Sequence, residues 1–309
     1  MAKVPTEHAR DQNQDSQMNT ILEEQFSDQV LDEFVRVANE AADAAATVIK
    51  QFFWEPKLIQ TFNKRDDDGF IVEQATSADL AAEDAITAVI LQNFPDHLIF
   101  GEERGWLPEE RLAEFVWVID PIDGTTSFKN GVPLFGTLIA LLHKSKPILG
   151  IIDQPILRKR WVGVHGRPTT VDGLPIQTRP CERLSQATLY ASSPLHFSDE
   201  EREAFNRVTE KVQEPIYGAE CFTYGLLASG FVDVIVQSFL GPYDFLAFIP
   251  IIEGAGGIIT DWAGQKLQWE ASPVSKGPTY YRIIAAGDDQ VHQDALEYLK
   301  ECSSITENE

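Results

Sequence analysis

Phe115-Val-Trp-Val-Ile-Asp120-Pro-Ile-Asp123-Gly-Thr125-Thr126 is the stretch on which the reading of this chain turns. Its apolar run reads as a buried strand, so Asp120 emerges at a strand end and not on a solvated surface. Asp123 follows three residues later, and two carboxylates held in one cleft repel unless a divalent cation neutralises them. Pro121 restricts the backbone and Gly124 permits a tight turn. A helix starting at the two threonines would aim free amides and its positive end at the same point, making an anion site beside a metal site. Metal and phosphate as neighbours point to phosphoryl chemistry.

Two further segments extend the pattern. Upstream, Phe94-Pro-Asp-His-Leu-Ile-Phe100-Gly-Glu102-Glu103 reads as a short apolar strand ending in a glycine and paired acids. Downstream, Pro242-Tyr243-Asp244 opens an apolar helical run that continues to Glu253-Gly-Ala-Gly-Gly257. Those last glycines follow a helix and lead into a strand, the reverse of a dinucleotide-binding loop, so they read as a helix C-cap.

The order Gly-Glu-Glu, Asp-Pro-Ile-Asp-Gly-Thr-Thr, aromatic-Asp resembles the inositol monophosphatase family of magnesium-dependent, lithium-sensitive phosphatases, from about Leu31 to Leu299. The resemblance implies a layered αβαβα sandwich with the site in a cleft between two sheet-containing halves. It implies two or three Mg2+ ions, with Li+ inhibitory. Glu102, Asp120 and the Ile122 carbonyl then look like ligands of a first ion, and Asp120, Asp123 and Asp244 like ligands of a second. Glu102 and Thr125 would orient the attacking water, while Gly124, Thr125 and Thr126 would hold the phosphate. Glu103 would support its neighbour. Asp79, at the family's Thr-x-Ala-Asp position, would bind water around a weaker third ion or serve as an acid at a helix start. Magnesium suits such hard oxygen ligands and can activate water for hydrolysis.

Substrate choice rests on fewer residues. Where relatives acting on inositol phosphates have Gly-Ser-Ala-Ala, this chain has Gly218-Ala219-Glu220-Cys221, resembling the histidinol-phosphate phosphatase branch. A partly buried carboxylate would pair with the ammonium of histidinol phosphate, whereas a neutral polyol offers it no charge. Asp123, Glu220 and Asp244 are therefore the expected substrate-binding residues. Inositol 1-phosphate, a sugar phosphate or a nucleotide 3′-phosphate is the other class, and a non-catalytic metal-binding homologue the third. The chain departs from the family between Lys64 and Asp79, where the spacer is longer and Gln74-Ala75 replaces Pro-Val, and at Tyr243, where tryptophan is usual.

Bulk properties agree. The 309 residues carry a net charge of −23, which argues against a nucleic-acid partner, and 43% hydrophobic residues, as in globular proteins. The three cysteines lie far apart, which indicates neither zinc nor a disulfide framework. His97, His143 and His165 lack ligand spacing and read as structural or surface groups. No apolar run has the length of a membrane span. Residues 1–26 read as a disordered polar tail without a signal-peptide core, so a cytoplasmic protein is expected. The family resemblance further implies a homodimer acting on a small phosphorylated substrate.

Periodicity places a long amphipathic helix over Ser27–Phe53 and a hairpin or loop near Asn63–Gly69. It places a second helix after Thr76 with Leu80, Ile86, Val89 and Ile90 buried. Strands are expected over Leu134–Leu142, Pro147–Asp153 and Arg160–His165 as an antiparallel meander. The second half alternates: strands near Thr188–Ser192, Val232–Gln237, Gly257–Asp261 and Arg282–Ala286, with helices Ser198–Val212, Phe222–Ser229, Asp244–Glu253 and Gln290–Lys300. A loop-rich seam over Pro168–Pro180 suggests domains 27–180 and 181–309.

Overall fold

A computed structural model of the chain describes residues 26–65, 71–108, 113–272 and 280–300. Residues 1–25 of the expected tail, Asp66–Gly69 and Cys302 lie outside the described residues. Backbone contacts divide the chain into two units, Met1–Arg36 and Val37–Glu309. Helix α1 (Asp28–Phe53) begins in the first and continues into the second.

Within residues 37–309 the order is β1 (Thr61–Arg65), β2 (Ile71–Thr76), α2 (Ser77–Asn93), β3 (Leu98–Gly101), β4 (Gly105–Leu107), β5 (Phe115–Asp123) and α3 (Thr125–Lys129). The meander β6 (Gly136–His143), β7 (Lys146–Gln154), β8 (Lys159–Val164) follows, then the short pair β9 (Thr170–Val171) and β10 (Leu174–Pro175), which falls in the stretch read as a seam. The remainder is β11 (Thr188–Ala191), α4 (Asp199–Thr209), β12 (Glu214–Tyr217), α5 (Phe222–Ala228), β13 (Val234–Leu240), α6 (Pro242–Phe245), α7 (Phe248–Gly254), β14 (Ile258–Asp261), β15 (Tyr281–Ala286) and α8 (Asp289–Leu299).

An eight-stranded sheet runs β10-β9-β8-β7-β6-β5-β3-β4 and a five-stranded sheet β12-β11-β13-β15-β14, beside the β1-β2 hairpin. The sheets share one apolar core: Leu138, Ala140 and Ile152 face Tyr224, Leu227, Phe248 and Ile251, which in turn face Ile235, Ile283 and Ala285. Helices α5 to α7 thus form a middle layer. On the far side of the second sheet, Leu189, Val234 and Ile284 pack against α4 and α8 through Phe205, Val208, Val291 and Leu299. On the far side of the first, α2 lies against β5. Arg160 of β8 reaches Asn39 (3.0 Å to Oδ1) and Asp43 (2.7 Å) of α1. The layers are αβαβα, as expected.

Three expectations need correction. The helix expected over Asp244–Glu253 is two helices, because Pro250 lacks an N–H and its ring excludes the carbonyl four residues back, so the chain restarts after Leu246. On α2, Leu80 and Val89 are only half-buried. The buried line is instead Ala78, Ala82, Ile86 and Ile90 together with two carboxylates, Asp79 and Glu83. Strand β12 escaped notice because, as an edge strand with Pro215 and mostly exposed residues, it has no apolar alternation. The glycines after α7 do cap it: Gly256 at φ +87° and the Gly257 N–H to Ile252 O bond (2.9 Å) close the helix. Among the described residues, no helix is long and apolar enough to cross a membrane.

His97 is the structural group its lack of ligand spacing suggested. It stacks between Phe94 (4.5 Å) and Phe115 (4.8 Å), and its Nδ1 accepts a hydrogen bond from Trp117 Nε1 (3.0 Å). Burial pulls its pKa down to about 4. The unfolded chain therefore takes up this proton first as pH falls, and stability present above about 6.5 is lost towards pH 4. Allowing for solvent screening, urea denaturation should lose about 1–2 kcal/mol more between pH 7 and 4 in the wild type than in His97→Phe. Parallel losses in the two proteins would assign the acid sensitivity elsewhere.

Candidate active site

β5 brings two carboxylates to one side of the strand by a slip in its ladder. Asp120 pairs with Leu138 and Asp123 with Gly136, so β5 spends three steps where β6 spends two. Residues three apart on a regular strand face opposite ways; the extra residue turns them to the same side. Pro121 sits in this bulge, where its missing N–H costs no ladder bond, and its carbonyl accepts from Thr137 Oγ1 (2.8 Å). Asp120, 1% exposed, accepts the Ile122 N–H (3.0 Å).

Gly124, at φ +89°, lets the chain reverse into α3. The Thr125 hydroxyl there lies 3.2 Å from Asp79 Oδ1 and 3.3 Å from the Ile122 carbonyl oxygen. Asp79 is fully buried in the capping box of α2, where it takes the Thr76 N–H (2.8 Å) and the Thr76 hydroxyl. Burial pushes its pKa up against those hydrogen bonds.

The third carboxylate comes from the other half. Asp244 caps α6, accepting the Gly241 N–H at 2.6 Å. Oxygens of Asp120, Asp123 and Asp244 all lie within 4.8 Å of one another, a group that could hold a metal ion. Glu102 stands beside them: β3 runs parallel to β5 with Gly101 opposite Ile119, and the Glu102 N–H donates to Ile119 O (3.0 Å). Burial first, then Glu102, Asp123 and Asp244 in turn, push Asp120 well above the usual carboxylate range. Burial and the neighbouring Glu220 raise Asp123, opposed by the Cys221 N–H (2.5 Å). A buried, all-oxygen, mutually repelling set fits a hard divalent cation and fits nothing softer.

Lys64, left open by the sequence, reaches in from β1 to Glu102 (2.7 Å) and Glu103 (2.9 Å). Glu220 lies in the pocket wall. Gly218, Ala219 and Glu220 have φ of +99°, +72° and +40°, a left-handed turn that folds Glu220 back against Gly124. A Cβ on Gly124 would lie 2.7 Å from Glu220 Cγ. A cavity of about 470 Å³ joins these groups; Glu102, Asp120, Asp123, Thr125, Glu220 and Asp244 line it, as do Gly124 and the exposed Thr126. Ser192, His196, Gln237 and Phe239 also line it, and the sequence did not flag them because they form no motif. Neither was Glu83, although its spacing of four residues from Asp79 was visible.

A two-sheet αβαβα fold holding an acidic, cation-ready cleft beside a helix start defines a class of metal-assisted phosphatases. The chain belongs to the inositol monophosphatase family, whose model matches residues 30–304. It is 52% identical over 276 residues to the bifunctional phosphatase IMPL2, chloroplastic, of Arabidopsis thaliana, covering 89% of this chain and 78% of that one. It is 33% identical to a histidinol-phosphatase of Chlorobaculum parvum over 75% of this chain and 87% of that protein. Among solved structures, an inositol monophosphatase from Zymomonas mobilis is similar with 39% identity and a TM-score of 0.73, over 87% of this chain and 98% of that one.

Proposed function

We propose that this phosphatase hydrolyses small phosphate monoesters at the Asp120, Asp123, Asp244 cluster with magnesium, the ion on which its family depends. The observation that carries the reading is the meeting of three carboxylates from distant segments within 4.8 Å, at the mouth of the turn that starts α3. Asp120, Asp123, Asp244, Glu102 and the Ile122 carbonyl would hold the metal, which supplies charge neutralisation of the phosphoryl oxygens and a more acidic bound water. Thr125, its hydroxyl steered by Asp79, presents its oxygen to the attacking water, and Glu102 stands ready to take that water's proton. The Gly124, Thr125 and Thr126 amides, at the start of α3 where helical N–H groups have no partner within the helix, would receive the phosphate.

Two substrate readings have support. The family and its several inositol monophosphatase relatives favour an inositol phosphate, and the weight of similarity lies there. Glu220 favours histidinol phosphate, whose ammonium would neutralise a carboxylate otherwise left beside Asp123. Phosphate release should be compared for histidinol phosphate, inositol 1-phosphate, sugar phosphates and 3′-phosphonucleotides, with and without EDTA. If Glu220 selects an ammonium, Glu220→Gln should lose about tenfold or more in kcat/KM on histidinol phosphate alone, the worth of one charge-assisted hydrogen bond. Equal losses on every ester, or a faster wild-type rate on inositol 1-phosphate, would leave the inositol reading standing. Metal-independent release would overturn both.

A further inference from the structure

We propose that Glu83, a residue outside the cavity, is the positioning residue that sets Glu102 against Asp120. This rests on the metal-assisted reading of the site.

Glu83 is completely buried on α2, and each of its oxygens is committed to the turn after β3. Oε2 accepts the Glu103 N–H and Oε1 the Arg104 N–H, both at 2.9 Å. On the other side of the same turn, the Glu102 N–H is bound to Ile119 O at 3.0 Å, one residue before Asp120. Three successive amides, 102 to 104, are thus pinned from two directions, which fixes where the Glu102 side chain leaves the backbone. The glycine of Gly-Glu-Glu has its reason here. A Cβ on Gly101 would lie 2.0 Å from Glu83 Oε1, so only glycine admits the carboxylate.

Stability alone does not call for this arrangement. Arg104 is exposed, where water could satisfy its amide, whereas burying a carboxylate is costly even when it is hydrogen-bonded. One turn earlier on the same helix face, Asp79 holds Thr125. One rigid helix therefore registers both turns that carry site residues, the geometric support a multi-carboxylate metal site requires.

The test is Mg2+ binding by calorimetry on the full chain, alongside melting temperature and turnover. Glu83→Gln keeps one acceptor but turns an NH2 group towards the second amide. It should weaken Mg2+ binding about tenfold or more, the usual cost of losing support behind a ligand. Gly101→Ala, which drives the Glu83 carboxylate out, should weaken it similarly. Ile90→Val, a core change on the same helix, should lower the melting temperature without changing Mg2+ affinity. The proposal is overturned if either site variant binds Mg2+ like the wild type, or if Ile90→Val weakens binding equally; should Glu83→Gln fail to fold, Gly101→Ala decides. Wild-type protein that binds no Mg2+ would defeat the metal reading itself, and Glu83's role with it.

Discussion

Asp120→Asn is expected to abolish turnover, to remove Mg2+ binding, and yet to raise the melting temperature in EDTA. The three outcomes share one cause. Asp120 is the most deeply buried member of the cluster, with Glu102, Asp123 and Asp244 all adding to its burial in disfavouring its charge. Without a cation, that repulsion opposes folding. With one, the same charge is the strongest ligand available. An asparagine keeps the carbonyl oxygen that accepts the Ile122 N–H, so the bulge in β5 should persist. What disappears is the anion, and with it about 4 kcal/mol or more of transition-state stabilisation, a rate loss of at least about a thousandfold. Relief of the like-charge contact should stabilise the metal-free protein by about 1 kcal/mol, which for a chain of this size is a rise of a few degrees. Calorimetric melting in EDTA and in Mg2+, run beside phosphate release, measures all of this. A variant less stable than wild type in EDTA would mean that the carboxylates do not repel in the native cleft, and would count against the cluster as a metal site.

Gly150→Ala is expected to be severely damaging for a single added methyl group. Gly150 on β7 pairs with Gly163 on β8, and together they form a notch in the eight-stranded sheet into which the start of α7 sinks. A Cβ on Gly150 would lie 2.0 Å from the Ala247 carbonyl oxygen, and one on Gly163 would lie 2.4 Å from the Ile251 nitrogen. These neighbours are backbone, so no side chain can swing aside. The helix must lift from the sheet, at a cost of about 3 kcal/mol, the upper end for overpacking. Asp244 lies three residues before Ala247, so lifting α7 also draws the third carboxylate from its partners. A misplacement of about 1 Å is worth about a hundredfold in rate. Adding Gly163→Ala should cost less than the sum of the two, since the helix is already displaced. Urea denaturation with parallel activity measurements checks this; an alanine at 150 with wild-type stability and rate would refute the notch as the seat of the helix.

The histidine and Glu220 experiments address other links. His97 concerns the fold at some remove from the cleft, and its acid sensitivity should leave metal binding untouched. The Glu220→Gln comparison tests which leaving group the pocket accepts.

Much of the fold was legible because the relevant signals are local. The continuous apolar run into Asp120 marked a strand buried on both faces, and that is how β5 lies, third from one edge of its sheet with helices over it. The Thr76–Asp79 spacing marked a helix start, and the reciprocal bonds of a capping box are present. Prolines and turn residues marked the meander. The break at Pro250 was a local signal passed over, but elsewhere the missing signal was non-local: β12 is a strand only because β11 offers it a parallel edge. Glu83 looked like an ordinary helical acid until the turn after β3 closed over it.

The sequence by itself determined which groups could do chemistry: the carboxylates, their order, and the turn residues that let amides follow them, since these depend on residue type and on spacing of a few positions. Only the tertiary structure decided that they meet. It took a one-residue slip against β6 to turn Asp120 and Asp123 the same way. It took a sheet notch to seat the helix behind Asp244, and a left-handed turn to fold Glu220 inward. Each of these is a relation between segments far apart in the chain, fixed by packing, and no local run of residues contains it.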